Sequence, residues 1–217
     1  MFSVVIVAAG SAKRAGLGYN KIFYKIKDKT LLEYSVQPFL EDEEIAEIII
    51  VVSKEDLQKV RSLFSSRKVK FVIGGSSRQK SVFNGLSLIK EDYVLIHDSA
   101  RPNLALEDLT KIKASVIQCQ AAVIYSPAKD SVVKYTGDKI ESYLDRNVIG
   151  LVQTPQAFQS EAIKKAHSNA LKSKREYTDD ASLYMMELDR EVMLIKGRDS
   201  NIKATTKTDL ILLEELL

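Results

Sequence analysis

Near its N-terminus the chain reads Val4-Val5-Ile6-Val7-Ala8-Ala9-Gly10-Ser11-Ala12-Lys13-Arg14-Ala15-Gly16, with Asn20-Lys21 just beyond. A β-branched apolar run breaks off into small residues, and the cations Lys13, Arg14 and Lys21 follow. The first carboxylate of the chain is Asp28, so everything before it is neutral or positive. Small residues let backbone N–H groups approach a ligand closely, and a nest of such groups holds anions. Clustered cations suit a polyphosphate better than a single carboxylate. The stretch therefore predicts a buried strand that ends in an anion-binding loop.

Further short apolar runs repeat the opening pattern: Ile48–Val52, Val69–Ile73, Tyr93–Ile96, Ala121–Tyr125 and Val192–Ile195. Continuous apolar runs mark strands covered on both faces of a parallel sheet. Amphipathic segments lie between them. Ser53–Asp56 reads as a capping box for a helix with Leu57, Val60 and Phe64 on one face, and Thr206–Asp209 as another for a C-terminal helix striped by Leu210, Leu213 and Leu217. Gly74 and Gly75 end a strand, and Ser76–Arg78 lead into a helix carrying Val82, Leu86 and Ile89. The expected fold is α/β: a single domain, residues 1–217, built as a three-layer sandwich on a mostly parallel twisted sheet. One segment departs from it. Asp130–Tyr135 and Ile140–Arg146 alternate like strands around the turn Thr136-Gly137-Asp138-Lys139, which predicts a protruding β-hairpin arm over about 127–148. Val133, Tyr135, Ile140, Tyr143 and Leu144 are too many apolar residues for a solvated ribbon, so the arm is expected to pack on a partner subunit.

Composition excludes several classes. The chain has 217 residues, 45% apolar and 28% charged, with a formal net charge of +3, too small for a broad nucleic-acid footprint. The apolar runs are too short to span a bilayer and no leader segment is evident, so a cytoplasmic protein without membrane or nucleic-acid partners is expected. Cys119 is the only cysteine, which rules out an intrachain disulfide and reads as a small buried thiol.

Gly-x-x-x-x-Gly-Lys-Ser/Thr and Gly-x-Gly-x-x-Gly are both absent, which removes the P-loop and standard dinucleotide readings. What remains is a set of polar constellations at strand ends. Gly74-Gly75-Ser76-Ser77-Arg78-Gln79-Lys80-Ser81-Val82 can hold a base edge and a phosphate or ribose at a helix start, or be a plain turn and cap. In Ile96-His97-Asp98-Ser99-Ala100-Arg101-Pro102, Asp98 ends a strand where α/β sheets bind ligands; it is a hard oxygen donor suited to Mg²⁺, beside Arg101 as an anion partner. An Asp98–Arg101 ion pair is the structural alternative, and His97 reads as a satisfied structural residue. Thr178, ahead of Asp179 and Asp180, reads as a helix N-cap. Lys203 follows a strand beside polar Asn201.

Taken in order, AAG…KR…NK, GGSSRQKSV, HDSARP, LDR (Leu144–Arg146), QTPQAF (Gln153–Phe158), YTDDAS (Tyr177–Ser182) and GRDSNIKATT (Gly197–Thr206) make the chain resemble the 2-C-methyl-D-erythritol 4-phosphate cytidylyltransferase family, nearly end to end. That resemblance implies a nucleotidyltransferase fold, transfer of cytidylate from CTP to a sugar-alcohol phosphate, a divalent cation such as Mg²⁺, and a homodimer clasped by the arms. It implies Arg14, Lys21, Arg146 and Lys203 as catalytic residues. Ala8, Ala9, Gly10, Ser11, Ala12, Lys13, Gly75, Arg78 and Ser81 are implied around CTP. Asp98, Arg101, Ser131, Thr154 and Thr178 are implied around the sugar phosphate, with Asp98 and Asp199 on the metal. Arg146 and Ser131, on the arm, are expected to reach the neighbouring subunit's site. The chain departs from the family pattern at Ala12 (usually Gly), Ala15 (commonly Met), Asn20 (frequently Pro) and Ser131 (usually Thr). Another polyol phosphate such as ribitol 5-phosphate, and a non-catalytic CTP-binding homologue, are the alternatives.

The expected reaction needs no general base, because a phosphate monoester is largely ionised at neutral pH, its second pKa being about 6. The barrier is repulsion between anions, so positioning and positive charge carry the catalysis.

Overall fold

The computed structural model describes residues 1–10 and 19–217. Among the described residues the central sheet has seven strands. β1 (Phe2–Val7) lies between β4 (Ile45–Val52) and β6 (Tyr93–Asp98), parallel to both. β5 (Val69–Ile73) extends the β4 side, again parallel. Beyond β6 come β10 (Gly150–Gln159), β7 (Ala121–Pro127) and β11 (Met193–Lys196). β10 runs antiparallel to both its neighbours, so it alone opposes the common strand direction. Two small hairpins stand apart: β2 (Lys25–Ile26) with β3 (Lys29–Thr30), and β8 (Val132–Thr136) with β9 (Lys139–Leu144).

The three-layer arrangement follows from the strand alternation. Val4 and Ile6 of β1, with Ile48 and Ile50 of β4, pack against α1 (Leu31–Glu41) and α4 (Leu106–Cys119) through Leu32, Val36, Phe39, Leu109 and Ile112. Val5, Ile49 and Val51 face the opposite layer, where α3 (Arg78–Leu86), α5 (Ser160–Ser173) and α6 (Asp180–Leu188) bring Val82, Leu86, Ile163 and Tyr184. The inner strands β1, β4 and β6 lose apolar surface to helices on both sides, at about 25 cal/mol per Å². Gly85 lets α3 settle onto the sheet: a Cβ there would lie 2.6 Å from a Val5 methyl. A third cluster joins Ile26, Leu31, Ala100 and Ala204 to Leu210 and Leu213 of α7 (Lys207–Leu216). It ties the segment after Lys21 to the segment after Lys203.

The six single strand runs appear at or within a few residues of their expected bounds. The hairpin forms too, with strands at Val132–Thr136 and Lys139–Leu144 rather than 130–135 and 140–146, and Gly137 takes φ +57° in its turn. Tyr135, Ile140, Tyr143 and Leu144 are all exposed on it. The Thr206–Asp209 capping box is present.

Three local expectations are corrected. The helix after Ser53 is only α2 (Leu57–Arg61), because Ser53 Oγ accepts from Asp56 N and donates to Asp56 Oδ2, closing a turn before the helix begins; Phe64 lies beyond its end. Asp179, not Thr178, caps α6, its Oδ1 accepting from Ser182 N at 2.9 Å. Cys119 is half-buried, its thiol donating to Ser115 O. β10 carries no strand signal in the sequence, since Gln153, Thr154 and Gln156 interrupt any apolar run; hydrogen bonding lets them be buried there.

Candidate active site

The chain leaves β1 toward β4 on one side and returns to β6 on the other. Between the carboxyl ends of β1 and β6 this leaves a switch point, the place where open α/β sheets bind ligands. A cleft of about 550 Å³ opens there. Ala8, Ala9 and Gly10 line it from the end of β1, Gly75, Arg78 and Ser81 from the start of α3, and Asp98 from β6. Lys21 and Lys203 enter from the two segments joined by the third apolar cluster.

Local chemistry sets each position. Ser77 caps α3 by accepting from Lys80 N, and Ser81 Oγ accepts from Gly75 N at 3.1 Å while donating to Ser77 O. Gly74 permits this turn against the β1 end, because a Cβ there would lie 2.5 Å from Ala9 Cβ and 2.9 Å from Ser81 Oγ. Asn20 caps the short 3-10 helix Lys21–Phe23 and donates to Asp56 Oδ2 at 2.8 Å, fixing the backbone from which Lys21 projects. Lys21 Nζ donates to Ala204 O at 2.5 Å. Ala204 N donates to Ala100 O, which sets Lys203 beside Asp98.

Asp98 is the hub. Its Oδ1 accepts from Arg78 Nε and Nη2, both at 3.2 Å, and its Oδ2 from Lys203 Nζ at 2.6 Å. Burial alone would raise its carboxyl pKa; Arg78 and Lys203 outweigh that and hold it far below the usual carboxylate range. Burial alone would likewise lower the Arg78 pKa, but Asp180 and Asp98 drive it up.

Behind the hub lies a buried polar brace. Thr154 Oγ1 accepts from Asp98 N at 3.1 Å and sits 3.1 Å from His97 Nδ1, while His97 Nε2 is 3.0 Å from Arg101 O. With the threonine hydroxyl donating to Nδ1 and Nε2–H donating to the carbonyl, every group is matched by a neutral imidazole. Burial pushes the His97 pKa down to about 4, although the carbonyl bond and Asp98 oppose it. Arg101 Nη1 donates to Asn201 O at 2.6 Å, and Asn201 Nδ2 donates to Thr154 O and Gln153 Oε1.

Nine of the expected site residues thus meet in one cleft: Ala8, Ala9, Gly10, Lys21, Gly75, Arg78, Ser81, Asp98 and Lys203. Ser11, Ala12, Lys13 and Arg14 lie outside the described residues. Thr154 stands behind Asp98 and braces it, and the Arg101 guanidinium braces the Asn201 backbone. Thr178 is exposed ahead of α6, and Ser131 is exposed at the foot of the arm. Arg146 donates to Lys129 O, and Asp199 pairs with Lys129, so neither lines this chain's own cleft. Ser77 and Thr205 also line it. Asp180 is another addition: it is buried and bonded to Arg78 at 2.8 Å. Its only sequence signal was position, since an acid just after a helix cap reads first as complementing the helix dipole.

Among the described residues no group of three or more His, Cys, Asp or Glu side chains could hold a metal ion. A lone carboxylate still fits one kind of ion. Among the described residues Asp98 accepts three hydrogen bonds and has about four lone-pair positions, so one stays open to a hard cation such as Mg²⁺.

Together these features define an α/β nucleotide-binding protein with a cationic, phosphate-suited cleft at its sheet's carboxyl edge. The family model for 2-C-methyl-D-erythritol 4-phosphate cytidylyltransferase (IspD) matches residues 2–217. The enzyme of that name from Halalkalibacterium halodurans is 36% identical over 100% of this chain and 96% of its own length. Its counterpart from Dictyoglomus thermophilum is 38% identical over 98% and 95%. The crystal structure of the cytidylyltransferase from Thermus thermophilus superposes with a TM-score of 0.83 at 30% identity, covering 99% of this chain and 97% of that one. The 4-diphosphocytidyl-2C-methyl-D-erythritol synthase of Anaerococcus prevotii gives 0.88 at 27%, covering 99% and 95%. The chain belongs to the 2-C-methyl-D-erythritol 4-phosphate cytidylyltransferase family. Among the described residues no helix is long and apolar enough to cross a membrane.

Proposed function

We infer that the protein joins CTP and 2-C-methyl-D-erythritol 4-phosphate, giving 4-diphosphocytidyl-2-C-methyl-D-erythritol and pyrophosphate in isoprenoid precursor synthesis. One observation carries this beyond family membership: Lys21, Arg78, Asp98 and Lys203, from four separate segments, converge on one cleft at the ends of β1 and β6. A binding module needs no such convergence around the reacting phosphates.

An oxygen of the acceptor phosphate attacks the α-phosphorus of CTP in line. The new P–O bond forms as the bond to the β-phosphate oxygen breaks, and pyrophosphate leaves with that electron pair. Lys21, with Arg14, meets the charge that develops on the α-phosphoryl oxygens. Gly75, Arg78 and Ser81 receive the nucleotide, and Lys203 holds the acceptor phosphate beside Asp98. Asp98 would hold a divalent cation such as Mg²⁺, which would supply positive charge against the triphosphate.

The protein acts as a homodimer in this reading. The exposed Tyr135, Ile140, Tyr143 and Leu144 supply the arm with apolar surface to bury, and Ser131 and Arg146, exposed at its base, would serve the neighbouring subunit's site. Both substrates are highly charged and water-soluble, which suits a cytoplasmic reaction. The test compares pyrophosphate release from CTP with methylerythritol phosphate and with ribitol 5-phosphate. A preference of a hundredfold or more for the former supports the assignment; equal rates, or none with either acceptor, overturn it.

A further inference from the structure

The cleft wall is connected to a buried pair that the reaction itself does not use. His167 of α5 and Asp180, the first residue of α6, are each only 1% exposed, and His167 Nε2 lies 3.1 Å from Asp180 Oδ1. A carboxylate only accepts, so Nε2 carries the proton and donates. The other oxygen, Oδ2, accepts from Arg78 Nη1 at 2.8 Å. Gln156 fixes the backbone of this corner, its Oε1 accepting from Asp180 N and Ala181 N. Both carboxylate oxygens of Asp180 and its amide are therefore committed, and the side chain has one orientation.

The consequence falls on Arg78. A guanidinium facing a single carboxylate favours the two-pronged arrangement that takes both oxygens. Here Arg78 turns both donors of its Nε/Nη2 edge onto Oδ1 of Asp98, while Nη1 is held by Asp180 on the other side and fixes the tilt of the guanidinium plane. Oδ2 of Asp98 is left to Lys203. We propose that His167 and Asp180 are positioning residues, which divide Arg78 between two carboxylates and so keep one oxygen of Asp98 available to Lys203 and the phosphates.

Burial alone would raise the Asp180 pKa, but Arg78 and His167 outweigh it and hold the group below its ordinary value, so it stays anionic. Freed from His167, Asp180 could rotate and release Arg78 to close on both oxygens of Asp98. Lys203 would then lose its partner and the cleft its arrangement. The inference rests on the assignment above, in which Arg78 and Lys203 face CTP and the acceptor phosphate.

The test is a set of variants: His167→Leu, His167→Gln and Asp180→Asn, each made in the wild type and with Arg78→Ala. His167→Leu fills the space without a donor, whereas the Gln amide nitrogen can donate where the imidazole Nε2 did. His167→Leu is expected to lower kcat/KM for CTP about tenfold, the scale for losing a hydrogen bond to a charged group. His167→Gln is expected to recover to within about threefold of wild type. In the Arg78→Ala background, His167→Leu and Asp180→Asn should change kcat/KM by less than about twofold, since their effect passes through Arg78. Equal losses in both backgrounds, or a Leu variant as active as the Gln variant, overturn the inference. If Arg78→Ala or His167→Leu does not fold, the ratio between the Gln and Asn variants decides: parity refutes a donor role. If the wild type turns over no acceptor, CTP affinity measured calorimetrically runs the same comparison, which separates failure of this inference from failure of the assignment.

Discussion

Lys203→Met separates chemistry from stability. The substitution keeps an unbranched chain but deletes the charge 2.6 Å from Asp98 Oδ2. Breaking a buried ion pair can cost 3–5 kcal/mol when it strands a charge. That does not happen here, because Asp98 keeps both bonds from Arg78 and the Lys203 side chain is 40% exposed. An ion pair with one exposed partner is worth at most about 1 kcal/mol, which in a chain of this size moves Tm by about 2–4 °C. The effect on catalysis follows a different scale. Removing a charged contact to the reacting phosphates costs about 3–4 kcal/mol, or roughly 10²–10³ in rate. Purified Lys203→Met should therefore melt within a few degrees of wild type while kcat/KM for the acceptor phosphate falls at least a hundredfold in a coupled pyrophosphate assay. Near-normal turnover would refute the role given to Lys203. A loss of activity matched by an equally large loss of stability would show that the lysine supports the fold instead.

Lys21→Ala and Arg14→Ala should each lower kcat by about 10²–10³ with little change in melting temperature; wild-type kcat in both would remove them from the reaction. Gly74→Ala drives a methyl against Ala9 Cβ and Ser81 Oγ, so a stability loss of about 1–3 kcal/mol and a raised KM for CTP are expected; calorimetry and kinetics that match wild type would contradict the turn geometry. For His97, whose folded pKa is about 4, the unfolded imidazole takes up a proton between pH 6.5 and 4 while the folded one does not. Stability thus rises with pH across that window and levels off above it, by about 3 kcal/mol in total. Its ring resonances should stay flat from pH 8 to 5, and a midpoint near 6.5 would exclude the neutral buried imidazole. In the proposed dimer, Tyr143→Glu should shift the sedimentation coefficient from dimer toward monomer; a wild type that sediments as a monomer, or an unchanged value for the variant, would contradict an arm-held dimer.

The layers of the fold were legible because most strands are apolar without interruption and the breaks between them hold glycine, serine or capping threonine. β10 was not, since its buried polar residues are satisfied by partners far away in the chain, as Asn201 satisfies Gln153. The cations Lys21, Arg78 and Lys203 could be read as phosphate partners by type, and strand ends gave their common location. Their connections could not. Asp180 carries the marks of a helix start, and only the packing of α5 and α6 against α3 turns it toward Arg78. Arg101 reads as an anion partner beside Asp98, yet its guanidinium reaches across to Asn201 O and braces the segment before Lys203. Sequence spacing cannot anticipate such long-range pairing.

The central claim is that an acceptor phosphate held in this cleft attacks the α-phosphorus of CTP. Methylerythritol phosphate carrying ¹⁸O in its phosphate group, incubated with CTP, Mg²⁺ and the protein, tests it directly by ³¹P NMR and mass spectrometry. The account predicts ¹⁸O in the bridge of the new diphosphate and pyrophosphate free of label. Label in the released pyrophosphate, or CTP signals that persist beside unconsumed acceptor, would contradict it.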